Sequence, residues 1–66
     1  MTSDILEGKW KQIKGAVKQR WGELTDDELD QIEGKSEQLI GLLQEKYGYD
    51  KLKAQRELDE FIADNR

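Results

Sequence analysis

Apolar residues recur with helical spacing along most of this chain. In the first third they stand at Leu6, Trp10, Ile13, Val17 and Trp21, in steps of 4, 3, 4 and 4 residues. On a helix of about 3.6 residues per turn, such steps keep all five on one stripe. The spacing predicts a helix from about Asp4 to Trp21, capped by Ser3 or Asp4. Gly22 lies one position past the stripe, where a left-handed C-terminal cap favours glycine. Next comes Thr25-Asp26-Asp27-Glu28, a capping box. The Thr25 hydroxyl can accept from the Glu28 backbone N–H, and the Glu28 side chain can reach back to the Thr25 N–H. Three acids in that first turn also suit the positive end of the helix dipole. The second helix carries Leu29 and Ile32 inward. Gly34 is expected to end or kink it, with one continuous helix to Tyr47 as the alternative. A third helix is expected from about Lys35 to Tyr47, bearing Leu39, Ile40, Leu42, Leu43 and Tyr47. Its apolar arc is wide, so it is expected to be the most buried. Gly48 stops it, and Asp50 can cap a fourth helix from about Lys51 to Ala63. Ala54, Leu58, Phe61 and Ile62 point inward there, and residues 64–66 are expected to fray.

The pattern repeats. At an offset of 26 residues, Glu7/Glu33, Gly8/Gly34, Lys9/Lys35, Gln12/Gln38, Gly15/Gly41 and Gly22/Gly48 are identical. Ile13/Leu39, Val17/Leu43, Arg20/Lys46 and Trp21/Tyr47 are alike in kind. Each copy reads as a longer helix, a glycine stop, a short link and a second helix. Two copies predict an all-α, single-domain chain (1–66): a small bundle of four helices built as two crossed helical hairpins. That architecture resembles the SAM-like and helix-hairpin-helix group. A three-helix or up-down bundle is the alternative.

Sixty-six residues make a small domain, which buries only about 60% of the surface its unfolded chain exposes. Modest stability follows, and self-association would help. The chain has no Cys and no His, which removes disulfides, thiolate chemistry and the commonest general base and metal ligand. Nothing at the N-terminus reads as a secretion signal, and the uncharged run at Leu39–Gln44 is far short of the ~20 apolar residues a membrane span needs. The expected compartment is the cytoplasm of the producing cell. Charge is uneven. Residues 1–22 carry five basic and two acidic groups, residues 23–45 one basic and eight acidic, and residues 46–66 five of each; +3, −7 and 0 sum to the net −4. A basic first helix facing an acidic middle suggests internal pairing or head-to-tail contacts more readily than nucleic-acid binding.

The candidate functional residues are few. Trp10 and Trp21 can stack bases or sit at a membrane interface, but their place on the apolar stripe favours core packing. Lys11, Lys14 and Lys18 form a second stripe beside it. A solvated face is the plain reading; weak binding of nucleic acid or anionic membrane is the functional alternative. Asp26, Asp27, Glu28 and Asp30 open a helix and lack the spacing of a calcium loop. Gly15 and Gly41 stand inside expected helices, opposite the apolar stripe, where each costs about 1 kcal/mol relative to Ala. They are either tolerated costs or marks of close approach by another helix or another copy. Lys11, Lys14, Lys18, Gly15 and Gly41 are therefore the candidate interaction face. No catalytic residue, cofactor site or metal site is expected: Ser3, Thr25 and Ser36 have no base beside them in the sequence, and no phosphate-cradling loop is present. A non-enzymatic protein is the expectation, with an unknown protein partner or self-association; weak binding of nucleic acid or anionic membrane through the basic face of the first helix is the alternative.

The run WKQIKGAVKQRWGELTDDEL, followed by IEGKSEQLIGLLQEKYGY, resembles the CsbD-like family of small bacterial proteins. The pattern W-K-Q-x-K-G-x-x-K-x-x-W-G-x-L-T-D-D is long and specific, and the likeness runs from about Gly8 to Phe61. The chain departs at Phe61, where the family often has Trp. The resemblance implies a general stress-response protein and carries over no active site.

Overall fold

The computed structural model describes residues 6–65. Within them a helical turn over residues 6–8 precedes four helices: α1 (Trp10–Arg20), α2 (Asp26–Ile32), α3 (Ser36–Tyr47) and α4 (Lys51–Asp64). The described residues contain no strand. They pack within 27 × 24 × 17 Å. The expected caps at Ser3 or Asp4, and the fraying of Arg66, lie outside the described residues.

Local chemistry sets most of the boundaries. The Thr25 capping box is complete: Glu28 N–H donates to Thr25 Oγ1 at 3.1 Å, and Thr25 N–H donates to Glu28 Oε1 at 3.0 Å. Asp50 Oδ1 accepts from the Lys53 N–H at 2.7 Å and starts α4. Gly48 takes φ +70°, and its N–H bonds back to Gln44 O at 3.0 Å, so α3 ends in a left-handed cap. The α2–α3 break is real. Glu33 caps α2 at φ +53° and Gly34 follows at +78°. Only glycine enters this region at little cost. At the far end α4 runs to Asp64, and Asn65 Nδ2 donates to Phe61 O, so the last turn is held where fraying was expected.

Two expectations are corrected. Gly22 is not a left-handed cap; Trp21 is the C-cap of α1 at φ −124°, ψ 76°, and a turn closes through Leu24 N–H to Trp21 O. The first helix is also not continuous, because the backbone turns at Lys9 (φ −116°, ψ 15°). Two ties grip the chain on either side of Lys9. Before it, Leu6 is fully buried and its carbonyl lies against Gly34; a Cβ on Gly34 would stand 2.8 Å from Leu6 O. After it, the Trp10 indole Nε1–H donates to Leu29 O at 2.9 Å, inside the core. The turn lies between the two ties and beside Gly8, a weak helix former.

The core is one cluster: Leu6, Trp10, Val17, Trp21, Leu24, Leu29, Ile32, Leu39, Leu43, Ala54, Leu58 and Phe61. Both tryptophans are inside, Trp10 8% and Trp21 2% exposed, as their stripe predicts. Trp21 meets Phe61 with ring centroids 5.4 Å apart. The third helix is not the most buried. Only Leu39 and Leu43 are buried on α3, while Ile40, Leu42 and Tyr47 are half-buried; α4 buries Ala54, Leu58 and Phe61. The wide arc of α3 spreads its apolar residues over the core's edge as well as its centre.

Candidate functional site

Helix α1 carries Lys11, Lys14, Lys18 and Arg20 and no acid; α2 carries Asp26, Asp27, Glu28 and Asp30 and no base. The fold sets these two against each other. Lys14 Nζ pairs with Asp30 Oδ1, and Lys18 Nζ lies 3.9 Å from Asp26 Oδ1. The hydrogen bond to Asp30 raises the Lys14 pKa above its ordinary 10.5. A third link joins α2 to α3: Lys46 Nζ to Glu28 Oε2 at 3.0 Å. The backbone hydrogen bond from Thr25, then the contact with Lys46, hold the Glu28 carboxyl below its ordinary 4.5, and the same contact raises Lys46. Two of the three stripe lysines thus lie beside acids of α2, both still partly exposed. Lys11 is exposed and, among the described residues, has no ion-pair partner.

A cationic hub at the end of α1 escaped the sequence reading. The Arg20 guanidinium sits 3.5 Å from both Glu57 and Glu60 and 3.7 Å from Asp64, and lies over the Trp21 ring at 5.4 Å. The signal was present: Glu57, Glu60 and Asp64 are spaced 3 and 4, an acidic stripe on α4. Tyr47 escaped too as a polar contact; its hydroxyl accepts from the Glu23 N–H at 3.1 Å, while its ring stacks on Tyr49.

Gly15 and Gly41 are both exposed, each in the middle of its helix. A Cβ on either would meet nothing within 4 Å. Neither is there to admit a neighbouring helix of the same chain. On a helix turning about 100° per residue, Lys11 and Lys18 lie within 60° of Gly15, together with Gln12 and Gln19. The corresponding neighbours of Gly41 are Glu37, Gln38, Gln44 and Glu45. The candidate residues therefore do not form one patch. They divide between a basic face on α1 and an acidic face on α3. Beside Gly41 runs a groove of about 400 Å³ whose lining includes Glu28, Ile32, Leu42 and Glu45 and no basic side chain. A second hollow, about 680 Å³, lies along Trp10 with Lys9, Lys11, Lys14, Glu7, Asp30 and Glu33 on its walls, a balanced set of charges. Among the described residues, no three acidic side chains gather as metal ligands do, and no helix is long and apolar enough to cross a membrane.

The comparisons with known proteins agree with one another. The family model described as CsbD-like matches residues 4–56. A UPF0337 protein of Bordetella pertussis is 57% identical over 65 residues, 98% of each chain. A UPF0337 protein of Pseudomonas aeruginosa is 51% identical over 61 residues, 92% of this chain and 94% of its own. The UPF0337 protein YjbJ of Escherichia coli K12 is 49% identical over 65 residues, 98% of this chain and 94% of its own. These names state no activity. The matches extend through the capping box, both tryptophans and the start of α4, and on them the chain belongs to the CsbD-like family.

Proposed function

We propose that this chain is a non-enzymatic interaction module of a bacterial general stress response, working in the cytoplasm by engaging a protein partner or a second copy of itself. The observation that supports this reading is the pair Gly15 and Gly41. Each sits mid-helix, weakens its helix by about 1 kcal/mol, and receives nothing in return from the rest of the chain. A cost of that size, taken twice in a domain whose total stability is about 3–10 kcal/mol, fits a surface kept smooth for another molecule. The 26-residue repeat supports it as well, since it places one glycine at the same position of each copy. The absence of His and Cys from the sequence is the basis for the non-enzymatic part. Two helical hairpins packed across one another are the arrangement that suits two such copies.

The test is a photoreactive side chain placed at position 15 or 41 and activated in stationary-phase cells. The expected result is one discrete crosslinked product from these positions, and none from a photoreactive group at Gln55 on the exposed side of α4. Equal, diffuse labelling from all three positions would remove the reading.

A further inference from the structure

The two glycine faces are alike in shape and opposite in charge. Around Gly15 the charged neighbours are Lys11 and Lys18; around Gly41 they are Glu37 and Glu45. Glycine and glutamine fill the rest of both faces. Lys11, Glu37 and Glu45 are exposed and, among the described residues, form no ion pair within 4 Å, although Glu45 acts through space on the neighbouring Lys46. Lys18 is held only by its 3.9 Å contact with the largely exposed Asp26. The acidic face also continues into the groove lined by Ile32, Leu42 and Glu45, which offers half-buried apolar surface beside the glycine.

We propose that the Gly15 face of one copy docks on the Gly41 face of a second copy. The inference rests on the interaction reading and names its partner. Glycine on both sides lets two helix backbones approach closely, and opposite charges at the rims set orientation and reject like faces. The two faces share no residue, so every copy offers both at once. Such a head-to-tail contact is heterologous: it builds rings if the rotation closes and open chains if it does not. The contact is small, so it belongs to the weak, transient class and is populated only at high concentration.

The experiment is sedimentation equilibrium of the whole protein at low ionic strength, up to about 1 mM, where weak contacts become visible. The wild type should gain mass with concentration. Lys11→Glu/Lys18→Glu places acids on both faces, and Glu37→Lys/Glu45→Lys places bases on both. Each variant alone should associate about tenfold more weakly. Mixed in equal amounts they should associate again, because each then offers what the other lacks. Gly15→Gln fills the surface without charge; it should raise the melting temperature while weakening association, a combination that a purely structural role does not give. Lys11→Glu alone serves as a second variant should Lys18→Glu disturb the contact with Asp26. A wild type that stays monomeric to 1 mM would overturn the proposal, as would association that ignores both charge reversals. The interaction reading itself is tested separately, by whether in-cell crosslinking from position 15 or 41 captures any discrete product; a product that is not a second copy would uphold that reading and overturn this proposal.

Discussion

Residues 8–22 and 34–48 share much of their sequence, yet the same letters do different work. Gly34 is buried at φ +78° with the Leu6 backbone against it; its counterpart Gly8 is exposed with open space around it. Gly48 is a left-handed cap; Gly22 is not. Trp21 is buried against Phe61 under the Arg20 hub, whereas Tyr47 is half-buried at the edge and uses its hydroxyl. Among the glycine pairs, Gly15 and Gly41 alone have the same environment, because both face away from the protein. Repetition fixes helical periodicity; packing fixes what each position must tolerate. Gly8 and Gly34 differ in role, and the exposed faces around Gly15 and Gly41 differ in charge.

The aromatic pair gives the strongest way to break this comparison. Trp21→Ala should cost about 3–5 kcal/mol in chemical denaturation, much of the domain's stability, since it empties the space facing Phe61. Tyr47→Phe should cost only about 0.5–1.5 kcal/mol, the value of the bond from Glu23. Equal costs would mean that the two copies share the core evenly. Gly34→Ala comes next, at about 2–4 kcal/mol, because a positive φ and a backbone contact at 2.8 Å act together. Gly8→Ala should be neutral or stabilising. A mild Gly34→Ala would show that the residue 6–8 turn moves aside easily. The cap pair is smaller: Gly48→Ala should lower stability by about 1 kcal/mol, with Gly22→Ala neutral or favourable.

The smallest effect is read by pH. Glu28 titrates below 4.5 in the folded state, so the unfolded chain takes up its proton first as the solution is acidified. Its contribution is complete above 4.5 and is lost as pH falls from there through the lowered folded value. Lys14 and Lys46 titrate above 10.5 when folded, so their contributions hold below 10.5 and are lost as pH rises beyond it. Glu28→Gln keeps the capping geometry but not the charge. The difference in stability between wild type and Glu28→Gln should therefore shrink on acidification below 4.5; a difference independent of pH would show that Glu28 acts through its hydrogen bond alone.

Much of the fold was legible in the sequence because it was written locally. The Thr25 box, the Asp50 cap, the Gly48 stop and the tryptophan stripe each depend on residues a few places apart. What was not legible depends on meetings between distant segments. Nothing within residues 4–12 indicates that Leu6 will lie on Gly34 while Trp10 reaches Leu29, so the turn at Lys9 has no local signal. Leu24 is likewise a buried residue in a turn, outside any stripe. Gly22 looked like Gly48 because the preceding helices match; the chains that follow do not. The sequence groups Lys11, Lys14, Lys18, Gly15 and Gly41 as one candidate face; in the fold Gly41 lies on a different surface from the rest. The pairing of Lys14 and Lys18 with acids required knowing where α2 lies, although the opposed charges of the two segments already pointed that way.

The Arg20 hub carries a consequence for how such domains are delimited. The family model's match stops at Arg56, although the Bordetella pertussis relative matches over 65 residues; Leu58 and Phe61 lie beyond Arg56, and so do all three acids that gather on Arg20. A fragment cut at Arg56 would leave the Trp21 indole without its lid. The smallest piece expected to fold cooperatively therefore reaches past Phe61, because the final two turns of α4 close over that ring.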